Sequence, residues 1–514
     1  MLTALLDLAP EALRYHSPVL VAVVPLLSAA ICAVLPGPRV AWVWAVLVTI
    51  VTVGLSLLLL AQTPSGSIVS YALGGWAPPV GIEFRADSLN ALVATLVAVM
   101  GCLVLVASFA SIRDEIRADK TPMFLAAFLL CLAGLLGVTL TGDAFNLFVF
   151  LEVNAITTYV LVAMGASRDR RALPAAFNYL IMGSIGATFY VIGVGFIYAA
   201  TGTLNMADIA RIATPIASES STVQAGFAFM IVGLGLKAAM FPLHQWLPNA
   251  YTYAPSFVTA FLAATATKVA LYALIRVAFT LFDPAIPFER LFFTWVLAPM
   301  GAAAVIACSI QAVFQTNVKR MLAYSSVAQI GYMLIGVALT TQAGLGAAVL
   351  HLVNHSLMKA ALFIAIAAVL LRGRTATLAG LAGIGKQAPV TATALGVAAL
   401  SLIGVPLTAG FVSKWALLQA SLAEGWLWAV AVIAIGSLLA LLYGGRILEA
   451  VFFKAVPEDA PVMREAPPLM LAVLIGLALA NLWFGIDAGL TTSLSSAAAG
   501  AIIGPGELAT GGTP

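Results

Sequence analysis

Seven ionisable side chains stand where an apolar sequence has least use for them: Glu152, Lys237, Lys268, His351, His355, Lys359 and Lys414. Each lies well inside an apolar run long enough to cross a bilayer. A charge at the centre of such a helix costs about 2.5–3.5 kcal/mol to insert, so it needs a partner or a task. His351, His355 and Lys359 fall at i, i+4 and i+8, one stripe down one helix face. Histidine titrates near neutral pH, and burial can bring a lysine into the same range, so alternating His and Lys sites suit proton hopping. The histidine pair could also hold zinc, and the stripe could be a packed polar seam. No Cys or acidic residue lies nearby in sequence and the third position is a cation, so no metal is expected.

Glu152 is too short to reach the headgroups and calls for a basic partner on a neighbouring helix; Lys237 is the expected one. A purely structural pair is the alternative, although buried pairs are weak sources of stability. For Lys237, Lys268 and Lys414 the bland reading is a side chain that snorkels to the interface. Accessory candidates are His244, just past Pro242; Asp143, which with Asn146 opens the fifth span and could simply cap it; and Arg276, two turns past Lys268 and expected to reach the outer interface. Arg446 and Glu449 read as an i, i+3 ion pair.

The elements that must hold these residues follow from composition. The chain has 514 residues, 62% hydrophobic and 9% charged, with a mean hydropathy of +1.07. Soluble domains carry about 25% charged residues, so the fold class is an all-α polytopic membrane protein. A net charge of +3 gives no ground for a nucleic-acid partner. Cys32, Cys102, Cys131 and Cys308 lie far apart in apolar runs without a C-x-x-C, and read as buried thiols. No G-x-G-x-x-G follows a strand pattern, and GIGK at 383–386 lacks the spacing of a phosphate loop. No cofactor is expected, and the chain reads as a transporter component and not an enzyme.

Cutting at charges, Pro/Gly clusters and length gives fourteen spans: about 17–36, 41–61, 88–111, 122–140, 144–165, 174–200, 222–249, 256–282, 291–315, 318–340, 345–371, 389–421, 425–453 and 467–487. The first is read as a retained helix, since no clear cleavage site follows it. Loops after odd-numbered spans hold fourteen Lys and Arg, Lys319 and Arg320 among them; the opposite side holds only Arg14, Arg85, Arg211 and Arg290. One missed helix would scramble that asymmetry, so it supports fourteen spans with both termini outside. TGTLNMADIARI (201–212) reads as a short interfacial helix, and the end from about 488 as loosely ordered.

Two spans look broken. KAAMFPLHQWLP (237–248) carries Pro242 and Pro248 within the seventh, and GVPLTAGFVSKW (404–415) carries Pro406 within the twelfth. Carbonyls freed by such breaks must find partners, so breaks survive mainly where they line a cavity. They lie five spans apart, which is the arithmetic of two inverted five-helix units. The expected organisation is 1–121, helices 1–3; 122–282, the first unit (helices 4–8); 283–455, the second (helices 9–13); and 456–514, helix 14 and a loose tail.

Several strings resemble one superfamily: TGDAFNLFVFLEVNAITTYVL (141–161), TGTLNMADIA (201–210), KAAMFPLHQWLPNAYTYAPS (237–256), NVKRMLAYSSVAQIGYMLIG (317–336), HLVNHSLMKAALF (351–363) and GVPLTAGFVSKW (404–415). It comprises the antiporter-like subunits of respiratory complex I, membrane-bound hydrogenases and multisubunit Mrp-type Na⁺/H⁺ antiporters, and the resemblance covers about residues 85–455. Chain length, TGDAFNLFVFLE and Lys414 are most similar to the D-type subunit of Mrp antiporters. The N-type subunit of complex I also has a lysine at the last position, and NAYTYAPSFVTAFLAATATKV leans toward the hydrogenase branch.

The resemblance implies fourteen helices with two inverted five-helix repeats and broken helices 7 and 12. It implies a Glu152–Lys237 pair, a central Lys268, a His351–His355–Lys359 relay and an exit site at Lys414, along a hydrated axis in the membrane plane. It also implies proton transport, Na⁺ transport in the antiporter case, other membrane subunits as partners, and a multi-pass place in a prokaryotic inner (plasma) membrane. A non-conducting scaffold is the other class of reading; the intact set of buried ionisable residues argues against it. An oxidoreductase in its own right lacks any cofactor motif.

Overall fold

Apolar runs of this length can satisfy their backbone in a bilayer only as helices. The computed structural model describes residues 6–64, 66–282 and 286–503. Among them twelve helices are long and apolar enough to cross a membrane, and two shorter apolar ones, Ser221–Lys237 and Pro389–Ile403, complete fourteen. The first six are α1 (Glu11–Val34), α2 (Pro38–Gln62), α3 (Ser88–Ala107), α4 (Thr121–Leu140), α5 (Ala144–Ala163) and α6 (Ala172–Thr201). The seventh span is α7 (Ser221–Lys237) followed by α8 (Trp246–Tyr253), and the eighth is α9 (Ser256–Ala264) with α10 (Ala266–Arg276). Then come α11 (Ala298–Val313), α12 (Val318–Ala338) and α13 (Gln342–Leu371), and the twelfth span splits into α14 (Pro389–Ile403) and α15 (Ala409–Ala423). The last two spans are α16 (Leu427–Leu448) and α17 (Pro468–Ile486).

The span count has a geometric check. Glu115, Ser167, Thr252, Asn317 and Thr375, from the ends of the third, fifth, seventh, ninth and eleventh spans, line a single cleft. Ile82, Asp143 and Gly202, from loops after even-numbered spans, share another, with the helices running between the two. The second face also carries a small antiparallel sheet, β1 (Val69–Ala72) with β2 (Glu83–Ala86), and the expected short helix at Met206–Ala213.

One backbone device occurs on each face. At the start of α5, Ala144 N donates to Leu204 O and Met206 N to Gly142 O, both at 2.8 Å. At the start of α12, Val318 N donates to Ala376 O at 2.8 Å and Leu378 N to Thr316 O at 3.1 Å. In each case the loop after the next helix returns to tie down a helix whose N-cap is a short polar side chain, Asp143 or Asn317.

The eighth, tenth and eleventh spans are almost wholly wrapped by the others, while α6, α16 and α17 keep most of their surface outward. The core is therefore built around α9–α10, α12 and α13, the helices that carry the buried Lys268, Gln329, His351, His355 and Lys359.

Both expected breaks are present, and the eighth span is broken as well. α7 stops at Lys237 and the chain turns through Ala239 (φ 55°) before Pro242 is reached. α14 stops at Gly404 (φ 91°), which only a residue without Cβ adopts cheaply, and Leu407 (φ 69°) completes the turn. Pro248, expected to add to the first break, instead sits in the first turn of α8, where its missing N–H costs nothing. The third break is at Thr265 (φ −126°, ψ −58°), between α9 and α10, with no Pro or Gly to announce it. There the Thr265 hydroxyl donates to Phe261 O at 2.7 Å, the back-bonding that bends helices.

Three other expectations need correcting. Residues 489–500 form a helix packed on α13 and α3, because their Ala and Ser side chains allow close approach; only 504–514 of the expected loose tail lie outside the described residues. Arg446 does not pair with Glu449: it donates to the carbonyls of Val313 and Gln315 across the helix interface, and Glu449 faces Lys454 at 3.7 Å. Arg276 does not reach an interface, as described below.

Close helix contacts are set by glycine. A Cβ on Gly331 would lie 2.5 Å from Gly301 O, and one on Gly233 2.5 Å from Gly186 O. Gly331→Val is therefore expected to destabilise the fold by about 1–3 kcal/mol or more. Gly54→Ala, at a position with open space around it, should leave stability unchanged. Thermal unfolding of the detergent-solubilised protein checks both.

Candidate functional site

The stripe on α13 is buried against α12, α9 and α15. His351 Nδ1 lies 2.8 Å from Ser413 Oγ of α15, and Nε2 lies 2.8 Å from Gln329 Oε1 of α12. An amide oxygen only accepts, so Nε2 carries the hydrogen and the Ser413 hydroxyl donates to Nδ1. One turn on, His355 stacks parallel to His351, with ring centres 6.1 Å apart. It is fully buried and neither ring nitrogen has a protein partner, a condition that calls for water or a transient partner. One turn further, Lys359 Nζ donates to Leu322 O at 2.7 Å and to Ser325 Oγ at 2.5 Å.

Lys414 closes one end. Its Nζ donates to Leu402 O at 3.1 Å and Ile403 O at 2.9 Å, carbonyls that α14 leaves open at its break. It also lies 5.0 Å over the Tyr332 ring, whose edge in turn meets His351 at 5.8 Å. Lys268 repeats the arrangement at the third break, where its Nζ donates to Ala263 O just before the Thr265 kink. It is buried and close enough to His355 and Lys359 for their charges to act on one another. None of these lysines snorkels.

At the other end, Lys237 Nζ and Glu152 Oε1 are 3.1 Å apart. Lys237 is nearly buried, whereas Glu152 keeps 26% of its side chain exposed on the outer flank of α5. The carbonyl beside Lys237, Leu236 O, is taken by Ala239 N and Trp246 Nε1, both at 3.1 Å, which leaves Nζ free for the carboxylate. His244 follows Lys237 by seven residues, past the break. Its Nε2 is 3.7 Å from Cys308 Sγ of α11, its ring stacks on Phe241, and Tyr324 of α12 is 6.5 Å away.

Two accessory candidates stand apart. Asp143 caps α5, accepting from Asn146 N at 2.7 Å. Arg276 is buried and bonded to Asp87 at 2.8 Å and to Tyr272 Oη at 3.1 Å; Asp87 in turn caps α3. That pair ties the eighth span to the third.

Sequence reasoning passed over Gln329, Ser413, Ser325 and Tyr332, which supply most of the stripe's partners. A signal existed for two of them, since Ser325 and Gln329 are four apart in AYSSVAQ and share one face of α12. Lys319, counted there as a loop charge, is 5% exposed with Nζ on Ala254 O at 2.8 Å. Among the described residues no group of three or more His, Cys, Asp or Glu side chains is placed to hold a metal.

Comparison with known proteins agrees with this architecture. The chain is 40% identical over 458 residues to the N-type subunit of NADH-quinone oxidoreductase from Desulforudis audaxviator, covering 88% of this chain and 90% of the relative. It is 32% identical over 439 residues to the D-type Na(+)/H(+) antiporter subunit from Bacillus subtilis, covering 85% and 87%. A chain of the Mrp complex from Dietzia sp. superposes with a TM-score of 0.86 at 29% identity, covering 96% of this chain and 98% of that one. Residues 141–440, which contain Glu152 and every other member of the buried series through Lys414, match the family described as "NADH:quinone oxidoreductase/Mrp antiporter, TM". The chain belongs to that family of antiporter-like membrane subunits.

Proposed function

We propose that this chain is a proton-translocating membrane subunit of a multisubunit complex, moving protons along Glu152, Lys237, His244, Lys268, Lys359, His355, His351 and Lys414. The observation that carries the reading is the hydrogen bonding of the buried lysines. Lys268, Lys359 and Lys414 rest on carbonyls and a hydroxyl, not on carboxylates. A carboxylate fixes a lysine as its cation; a carbonyl accepts equally from an ammonium or a neutral amine. Such lysines can gain and lose a proton without losing their partners.

The Glu152–Lys237 pair acts as the switch. Protonating Glu152 removes the charge that holds Lys237, and the freed cation repels charge further along the series. Lys268, beside His355 and Lys359, passes the change on, and Lys414 exchanges the proton at the far end. The units 122–282 and 283–455 are inverted repeats in this reading, supported by the same backbone bridge at opposite faces, at Asp143 and at Asn317. In this reading the arginine-rich cleft faces the cytoplasm of a prokaryotic plasma membrane and both termini lie outside, an orientation that the loop charges support.

The host complex has two readings. An Mrp-type cation/H⁺ antiporter, with this chain in the D-type position, is supported by the antiporter relatives. A redox-driven pump is favoured by the higher identity to an N-type relative. In either case the chain carries ions and the chemistry belongs to partners. In vesicles holding the assembled complex, a Na⁺ gradient alone should drive proton movement in the antiporter; movement only during electron transfer assigns the redox host.

For the relay itself, Glu152→Gln, Lys237→Met and Lys414→Ala are each expected to cut proton flux at least about tenfold in assembled complex. Near-normal flux in all three overturns the reading.

A further inference from the structure

The stripe on α13 has a direction across the membrane. His351 lies a third of the way along α13, beside Ser413 and Lys414; Lys359 lies eight residues on, a rise of about 12 Å toward the arginine-rich face. Its carbonyl partner, Leu322 O, sits in the first turns of α12, the helix that begins at that face.

Three residues before Leu322, less than one helical turn, is Lys319. It lines the cleft where the loops of the arginine-rich face meet, yet is 5% exposed. Like the lysines of the relay, it rests on a carbonyl opened at a helix end, with Nζ donating to Ala254 O at 2.8 Å where α8 stops. Among the described residues no carboxylate pairs with it within the 4.0 Å of an ion pair, although Glu115 and Asp169 lie in the same cleft and close enough to act on its charge. Glu115 is held in place by Ser256 N at 2.8 Å and Asp169 by Arg171 at 2.7 Å. Arg374, also at the cleft, is committed to Pro461 O and Gln387 Oε1.

We propose that Lys319 is the relay's proton station at the arginine-rich face, through which Lys359 exchanges protons with water in the cleft. The proposal rests on the proton-translocation reading and extends it. It places a path from the cleft to the break of the twelfth span inside residues 318–414: cleft, Lys319, Lys359, His355, His351, Lys414. In each transfer one N–H bond breaks as another forms; Ser325 and Ser326 donate to Leu322 O, the carbonyl that Lys359 shares. Glu115 and Asp169 line the mouth, and Ala254 O holds the amine in either state.

Arginine separates a station from a structural strap, since it keeps the charge and the donors but does not give up its proton. In vesicles holding the assembled complex, Lys319→Arg and Lys319→Met are both expected to lower proton flux at least about tenfold. Normal flux in Lys319→Arg, beside loss in Lys414→Ala, overturns the proposal and leaves the relay standing. Normal flux in both overturns the relay reading instead. If Lys319→Arg fails to assemble, Lys319→Cys carries the test: an aminoethyl thiosulfonate, which restores a titratable amine, should recover flux. The trimethylammonium analogue should not, and equal recovery with both reagents refutes the station.

Discussion

A lysine buried in a bilayer must hydrogen-bond something, and what it bonds decides whether it can change charge. In this protein the donors are met chiefly by backbone carbonyls that interrupted helices leave open. Lys268 takes Ala263 O at the Thr265 kink, Lys414 takes Leu402 O and Ile403 O at the Gly404 break, and Lys319 takes Ala254 O at the end of α8. Each break thus creates the acceptors that make its lysine tolerable, and each lysine satisfies the carbonyls that would make the break costly. Fold and site are the same structure seen from two sides.

Lys237 is the exception, and its surroundings explain why. The carbonyl beside it is taken by Ala239 N and by Trp246, whose ring is stacked 4.0 Å from Tyr179. Its ammonium therefore turns to Glu152, giving the one lysine–carboxylate pair in this buried series. A pair of that kind resists change until one partner is protonated or displaced, which suits a switch. The carbonyl-held lysines that follow are suited to conduct.

Much of this was legible in the sequence, for physical reasons. Apolar runs must be helices in lipid, so the spans and their sidedness followed from hydropathy and loop charge, and the span ends meeting in one cleft at Glu115, Thr252 and Asn317 agree. Buried charges are rare enough that Glu152, Lys237 and the α13 stripe stood out by type and spacing alone. What was not legible depends on tertiary contact. The Thr265 break has no Gly or Pro, because a threonine side chain bends the helix. Arg276 was read by distance along its helix, whereas its partner Asp87 lies 189 residues away. Lys319 was counted as a loop charge because it sits at a helix start; the end of α8 folds over it.

The central claim is that the relay lysines work because carbonyls and hydroxyls hold them. Ser325, 2.5 Å from Lys359 Nζ, offers the direct test. Proton flux should be measured in vesicles for the assembled Ser325→Asp and Ser325→Asn variants. A carboxylate there would pin Lys359 as its cation, so flux should collapse in Ser325→Asp and persist in Ser325→Asn. Undiminished flux in Ser325→Asp would contradict the account.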